Sequence, residues 1–266
     1  MPPAKKRTRT YDPVRTRTAV LAQFGAVRAA VSALTPEQYA LPARSGGRSV
    51  RELVVRTGAA VTAVGRLLAL PEPARPDAVL LDWPSAAAAD RAAADDDVTR
   101  VLAADPPGLD AWLADAGRDL ADQLDRHPGT RLLATAAGAL PLADYLVTRA
   151  VELVVRTDDL NAAVPGLDIP FDRQALAACT RLLADALAVK APGGSTEVRV
   201  PPYAVVQCVP GPRHTRGTPP NVVETDPLTW VRLATGRTTW RQALADAAVS
   251  AGGERADLGE LLPLMG

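Results

Sequence analysis

Apolar residues recur at helical spacing in four long segments of the first part of the chain. In each segment they step by three or four residues, which places them on one face of an α-helix. The predicted helices cover residues 12–34, 49–70, 109–126 and 141–163. Asp12 and Ser49 are residue types that cap helix starts, and Thr35 predicts a further short helix. Four amphipathic helices joined by loops favour a helix bundle.

The pattern changes after Pro165-Gly166. Residues 171–189 predict one more helix, and beyond them short runs of β-branched residues predict strands. The predicted strands are residues 197–200, 203–209 and 221–224, and the helical segments that follow are residues 227–234 and 240–247. We therefore expect a mainly α protein with a smaller α+β domain. Its predicted parts are a disordered basic tail (residues 1–11), a four-helix bundle (residues 12–165) and an α+β domain (residues 166–266).

One segment inside the bundle fits neither pattern well. Residues 76–107 are rich in Ala and Asp, and they predict either another helix or a mobile excursion. The sequence leaves these two alternatives open.

Composition and charge exclude several classes of function. Thirty basic residues balance thirty acidic ones, so the net charge favours neither nucleic acid nor an anionic membrane as a partner. Membrane spans need about 18 consecutive apolar residues, and the chain has no such run. Two cysteines do not make a disulfide framework. We expect a cytoplasmic protein, either a monomer or a homodimer, without a membrane span.

The candidate chemistry centres on a hexapeptide that occurs twice. Glu-Leu-Val-Val-Arg-Thr stands at residues 52–57 and again at residues 152–157. In each copy a Glu and an Arg lie four residues apart, and this spacing puts both side chains on the same face of a helix. Both copies fall in predicted bundle helices, so the sequence points to a cluster of four charged groups.

A second candidate is a loop in the α+β part. Arg213, His214 and Arg216 follow one another closely on a turn rich in Gly and Pro. Cationic groups on such a loop can bind an anion, and a histidine can transfer a proton near neutral pH. The alternative interpretation is a hairpin loop that faces solvent.

Three stretches of the chain resemble the mycothiol-dependent maleylpyruvate isomerase family. They are residues 49–56, residues 140–160, which begin Leu-Pro-Leu-Ala-Asp-Tyr, and residues 226–264, which contain Leu-Ala-Thr-Gly-Arg and Ser-Ala-Gly-Gly-Glu. The resemblance implies a DinB-like four-helix bundle followed by a sterol-carrier-like α+β domain. The last stretch, together with residues 214–221, resembles the subgroup described as sterol carrier family proteins.

The resemblance also implies a site, from which this chain departs. Catalytic members hold a divalent metal with a His from the second helix and a Glu and a His from the fourth. The matching positions here are Arg56, Glu152 and Arg156, so only the glutamate is kept. A guanidinium group has no lone pair to give and stays protonated, so it repels a metal ion. We expect neither a bound metal nor catalytic residues.

Two interpretations of the Arg and Glu cluster remain open. It is either a structural ion network, or an anion site in which Arg56 and Arg156 bind a carboxylate or phosphate. The functional prediction is a metal-free, non-catalytic relative of the isomerases that binds a small anionic or hydrophobic, lipid-like ligand. The alternatives are a mycothiol-dependent isomerase or transferase with a rearranged site, with or without a divalent metal, and a purely structural partner protein.

Overall fold

The computed structural model describes residues 9–44, 47–93, 95–103, 107–211 and 220–265. The helices before residue 165 are α1 (Pro13–Val31), α2 (Pro36–Ala40), α3 (Val50–Leu68), α4 (Trp83–Ala92), α5 (Asp95–Ala103), α6 (Pro107–Arg126) and α7 (Leu142–Ala163). Helices α1, α6, α3 and α7 form a closed ring, since each packs on the next and α7 packs on α1. The predicted mainly α fold is confirmed.

Local chemistry explains where these helices begin. The Asp12 carboxylate accepts from the backbone N–H groups of Val14 and Arg15, at the start of α1. At α2 the Thr35 hydroxyl and the Gln38 side chain form a reciprocal capping box. The Ser49 hydroxyl accepts from the backbone N–H of Glu52 at the start of α3. The start signals that the sequence predicted are therefore confirmed.

Two features of this part go beyond the predictions, one at a segment left open and one at a hairpin that was missed. The segment left open at residues 76–107 contains α4 and α5; α5 packs on α3, and α4 buries Trp83 and Ala87 in the core. A hairpin of β1 (Leu132–Thr135) and β2 (Gly138–Pro141) precedes α7, whose first residue is Leu142 and not Pro141. This hairpin was missed because each strand has only four residues, too few for a clear alternation.

The rest of the chain forms a mixed sheet covered by helices. Its elements are α8 (Arg173–Lys190), β3 (Thr196–Val200), β4 (Ala204–Cys208), β5 (Val222–Thr225), α9 (Pro227–Ala234), α10 (Trp240–Ala245) and β6 (Val249–Gly252). The strand order is β4-β3-β5-β6, with β3 and β5 parallel and the other pairs antiparallel. Strand β6 was not predicted. Alternate residues of β3 are buried, as expected of a sheet with one covered face.

Helix α8 joins the two parts of the molecule. It packs on α1 and α7 of the bundle, and also on β4 and α9. Buried apolar residues of both parts form one continuous core among the described residues. The domain boundary predicted at residues 165–166 stays a prediction. Within the described residues, no helix is long and apolar enough to cross a membrane.

Candidate functional site: an arginine-lined cavity

The two copies of the repeated hexapeptide lie on adjacent helices. Residues 52–57 are in α3 and residues 152–157 are in α7, and these two helices pack against each other. Each Glu pairs with the Arg one helical turn later in its own copy. Arg56 Nε lies 2.8 Å from Glu52 Oε1, and Arg156 Nη2 lies 3.2 Å from Glu152 Oε2. The predicted pairing at helical spacing is therefore present in both copies.

The two copies border a common cavity of about 340 Å³. Its lining comes from α3, α4, α5, α7 and the segment after α9, so both parts of the molecule contribute to it. Its charged lining residues, among those the structure describes, are Arg48, Arg56, Arg91, Asp95, Glu152, Arg156, Asp159 and Arg237. The cavity thus brings together Arg56, Glu152 and Arg156, the three candidates from the bundle.

Glu152 is a buried carboxylate of the cavity that two guanidinium groups hold. Its Oε1 accepts from Arg91 Nη1 at 3.3 Å, while Oε2 accepts from Arg156 Nη2 at 3.2 Å. Burial by itself would raise the pKa of this carboxyl, but the guanidinium groups of Arg156, Arg149 and Arg91 hold the pKa below its ordinary value. Glu152 is therefore a fixed anion with both oxygens engaged.

Arg156 is the most enclosed cation of the cavity. Its Nη2 group donates to Glu152 Oε2, but its buried Nε atom has no hydrogen-bond partner within the described part of the chain. Burial lowers the pKa of this guanidinium below its ordinary value, and the nearby Arg237 and Arg91 act in the same direction. An orphaned buried donor is costly and calls for an explanation.

Arg56 is held differently, by two partly exposed carboxylates. Its Nε donates to Glu52 Oε1 at 2.8 Å, and its Nη1 donates to Asp95 Oδ1 at 2.9 Å. Burial opposes the charge on Arg56, but the hydrogen bonds to Glu52 and Asp95 raise its pKa above the ordinary value. Glu52 is shared, because Arg48 Nε lies 3.1 Å from the same Oε1 atom.

The second part of the molecule closes the cavity. Thr235, Arg237 and Met265 line it, and Arg237 Nη2 lies 2.9 Å from Asp159 Oδ2 on α7. The neighbouring Asp158 accepts from Arg232 of α9 and from Arg44. Two consecutive acids of α7 thus hold the second part of the molecule against the bundle.

Sequence reasoning missed several lining residues. Arg91 and Asp95 lie within residues 76–107, for which the sequence left two structures open. Only the packing of this segment brings them to the cavity. Arg237 had a weak signal, since it ends the Leu-Ala-Thr-Gly-Arg motif of the resemblance. Arg213, His214 and Arg216 lie outside the residues that the structure describes, so that second candidate site stays a prediction.

Two family models match the chain. The model described as "Mycothiol maleylpyruvate isomerase N-terminal domain" matches residues 20–161, more than half of the chain. The chain belongs to this family. The model described as "Bacterial SCP ortholog" matches residues 172–264. The resemblance on which the sequence analysis relied is therefore confirmed.

The fold is similar to two solved structures of a mycothiol-dependent maleylpyruvate isomerase, one of them of a mutant. For each, the TM-score is 0.62 at 14% sequence identity, over 93% of this chain and 95% of the other. A comparison with curated proteins gave no match. Identity at this level supports a common fold, and the function has to be argued from the site itself.

The divalent metal that the family resemblance implies does not fit these side chains. Arg56 and Arg156 stand at two of the ligand positions that the resemblance implies, and they offer only donors. Glu152, at the third position, already accepts from two guanidinium groups. Across the described ranges, no group of three or more His, Cys, Asp and Glu side chains is arranged to hold a metal ion.

Proposed function

We propose that this chain binds a small organic anion, a carboxylate or a phosphate, in the arginine-lined cavity. The observation that carries the proposal is the buried guanidinium of Arg156. It lines the cavity, and its Nε atom has no partner among the described residues. Arginine is suited to carboxylate and phosphate because its fork of donors engages two oxygens at once.

The charge balance of the cavity supports an anionic ligand. Among the described lining residues, five arginines face three carboxylates. Glu52, which pairs with Arg48 and Arg56 from beside the cavity, brings the carboxylates to four. One positive charge remains in excess in a partly enclosed space, where electrostatic attraction is stronger than in bulk water.

The size and the apolar part of the lining restrict the ligand further. A cavity of about 340 Å³ is at the small end of the usual range for ligand pockets, roughly 300–1,000 Å³. Leu53, Val155 and Met265 line it beside the arginines. These features favour an acid with a short apolar body.

A lipid-like ligand in the second part of the molecule has less support. The groove along β5 and β6 is shallow, and Glu224 and Asp226 line it together with small residues. Carboxylates on an open surface do not provide the enclosed apolar lining that a lipid chain needs. The arginine-lined cavity is therefore the site that we propose for the ligand.

The proposal includes the loss of the metal-dependent chemistry of the catalytic relatives. Its support is the chemistry of Arg56 and Arg156, which cannot ligate a metal ion. The alternative, a mycothiol-dependent isomerase or transferase with a rearranged site, is favoured by the family match over residues 20–161. Consumption of maleylpyruvate that depends on mycothiol and is lost in Arg156→Met would support this alternative.

The test measures anion binding by the whole chain after treatment with a chelator. Isothermal titration calorimetry with inorganic phosphate, acetate and succinate should detect binding that weakens as salt rises. Arg156→Met should lower the affinity about tenfold or more, because a hydrogen bond to a charged group contributes about 1.5–3 kcal/mol. Arg56→Met should act in the same direction.

The matched control is Arg17→Met. Arg17 also pairs with a carboxylate, Asp125, but lies outside the cavity, so its replacement should leave the affinity unchanged. Circular dichroism must show that the variants fold. If wild type binds none of the anions and none of them raises its melting temperature, the cluster is a structural ion network and the proposal is wrong.

A further inference from the structure

We infer that Asp95 is a built-in competitor for the anion site, a carboxylate of the chain itself that occupies Arg56 when no ligand is bound. The inference rests on the proposed function and concerns the regulation of the same cavity. It starts from a contact between two helices, in which Arg56 Nη1 of α3 lies 2.9 Å from Asp95 Oδ1 at the first residue of α5.

Asp95 occupies the position that a ligand carboxylate would take. Both Asp95 and Arg56 line the cavity, and the Nη1 group of Arg56 is the one directed at Asp95. The Nε group on the other edge of this guanidinium is engaged by Glu52. An incoming anion that takes the Nη1 hydrogen now donated to Asp95 must therefore displace that carboxylate.

Glu152 and Asp95, two of the carboxylates bound to the cavity arginines, differ in how easily they leave. Glu152 is buried, and both of its oxygens are held by guanidinium groups. The Asp95 side chain is 53% exposed, so water can solvate it as soon as it leaves Arg56. Exposed ion pairs are weak for this reason. Asp95 is the exchangeable partner, whereas Glu152 is the permanent one.

A competitor of this kind reduces the apparent affinity without changing the contacts in the bound state. The dissociation constant is raised by the inverse of the fraction of molecules in which Arg56 is available. For an exposed pair of ordinary strength, removal of the competitor should tighten binding about two- to fivefold.

The test is Asp95→Asn, which keeps the shape of the side chain and removes its charge. Titration of the whole chain with succinate and with inorganic phosphate should give a dissociation constant about two- to fivefold below that of wild type. Asp125→Asn is the matched control. Asp125 is also an exposed aspartate paired with an arginine of another helix, at 2.5 Å from Arg17, but it is remote from the cavity lining. Its replacement should leave the constant unchanged.

A double variant, Asp95→Asn combined with Arg56→Met, separates direct competition for Arg56 from a general gain in positive charge. In Arg56→Met the competitor has no arginine to occupy, so adding Asp95→Asn should no longer tighten binding. If the gain persists in that background, Asp95 acts through its field and the inference is wrong.

The outcomes also separate this inference from the proposed function. Anion binding that depends on Arg156 but is equal or weaker in Asp95→Asn overturns the competitor role and leaves the proposed function standing. Anion binding that is about two- to fivefold tighter in Asp95→Asn than in wild type supports the competitor role. If neither protein binds phosphate or succinate, the proposed function and the competitor role are both overturned.

Discussion

The two copies of Glu-Leu-Val-Val-Arg-Thr are identical in sequence but differ in environment. In α7 the Glu152 and Arg156 side chains are 4% and 7% exposed. Glu152 binds two guanidinium groups, those of Arg91 and Arg156. In α3 the Glu52 and Arg56 side chains are 22% and 16% exposed, and Arg56 turns to a second carboxylate. The same six residues therefore make one buried network and one that solvent can reach.

The residues directly after the repeat account for part of this difference. The first copy continues with Gly58, which packs so tightly on Trp112 of α6 that an added Cβ would lie 2.3 Å from the indole ring. The second copy continues with Asp158 and Asp159, which bind Arg232 and Arg237 of the second part of the molecule. One helix thus closes the bundle, while the other holds the second part over the cavity.

The largest expected effect tests the difference in burial. Glu152→Gln should lower the free energy of unfolding by about 3–5 kcal/mol, because buried guanidinium groups lose their compensating charge. The same substitution in the other copy, Glu52→Gln, should cost less than about 1 kcal/mol, since its arginines keep access to water. Urea unfolding followed by circular dichroism measures both. Equal losses would show that burial does not distinguish the copies.

A smaller effect is expected for the acid that follows the second copy. Asp158 is buried, and its oxygens accept from Arg232 Nε at 3.0 Å, Arg232 Nη2 at 2.6 Å and Arg44 Nη1 at 3.1 Å. Asp158→Asn should lower the free energy of unfolding by about 1.5–3 kcal/mol. The loss is below that for Glu152, because both arginines are about one third exposed and regain water.

Asp185→Asn is the matched control for Asp158. Asp185 also binds an arginine through two oxygens, but the partner is Arg9 before α1 and the contact is exposed. We expect a loss of less than about 1 kcal/mol. A loss as large as that of Asp158→Asn would contradict the special role of Asp158 in holding the two parts together.

The smallest expected effect is a dependence on pH. The pKa of Glu152 is lower in the folded protein than its ordinary value, so its contribution to stability is complete above the unfolded pKa of about 4.3. The contribution is lost as pH falls through the lower, folded pKa. The stability gap between wild type and Glu152→Gln should stay constant above about pH 5 and narrow below about pH 4. Urea midpoints of wild type and Glu152→Gln at successive pH values measure this gap. A gap that stays constant below about pH 4 would contradict the prediction.

Much of the fold could be predicted because its signals are local. The helix starts at Asp12, Thr35 and Ser49 depend on residues within one turn, and the structure confirms them. The site was predictable in part for the same reason, because a Glu and an Arg four residues apart must share a helix face. The hairpin before α7 and strand β6 were missed, since strands of four residues depend on partners elsewhere in the chain.

The sequence by itself determined the family, the helices and the two Glu–Arg pairs, and it places arginine where the resemblance implies metal-binding histidines. Only the tertiary structure decided which pair is buried, and that Arg91, Asp95 and Arg237 join them around one cavity. The physical reason is that desolvation and charge balance depend on groups brought together from distant parts of the chain. Identical hexapeptides cannot encode that difference, because the neighbours that create it lie outside them.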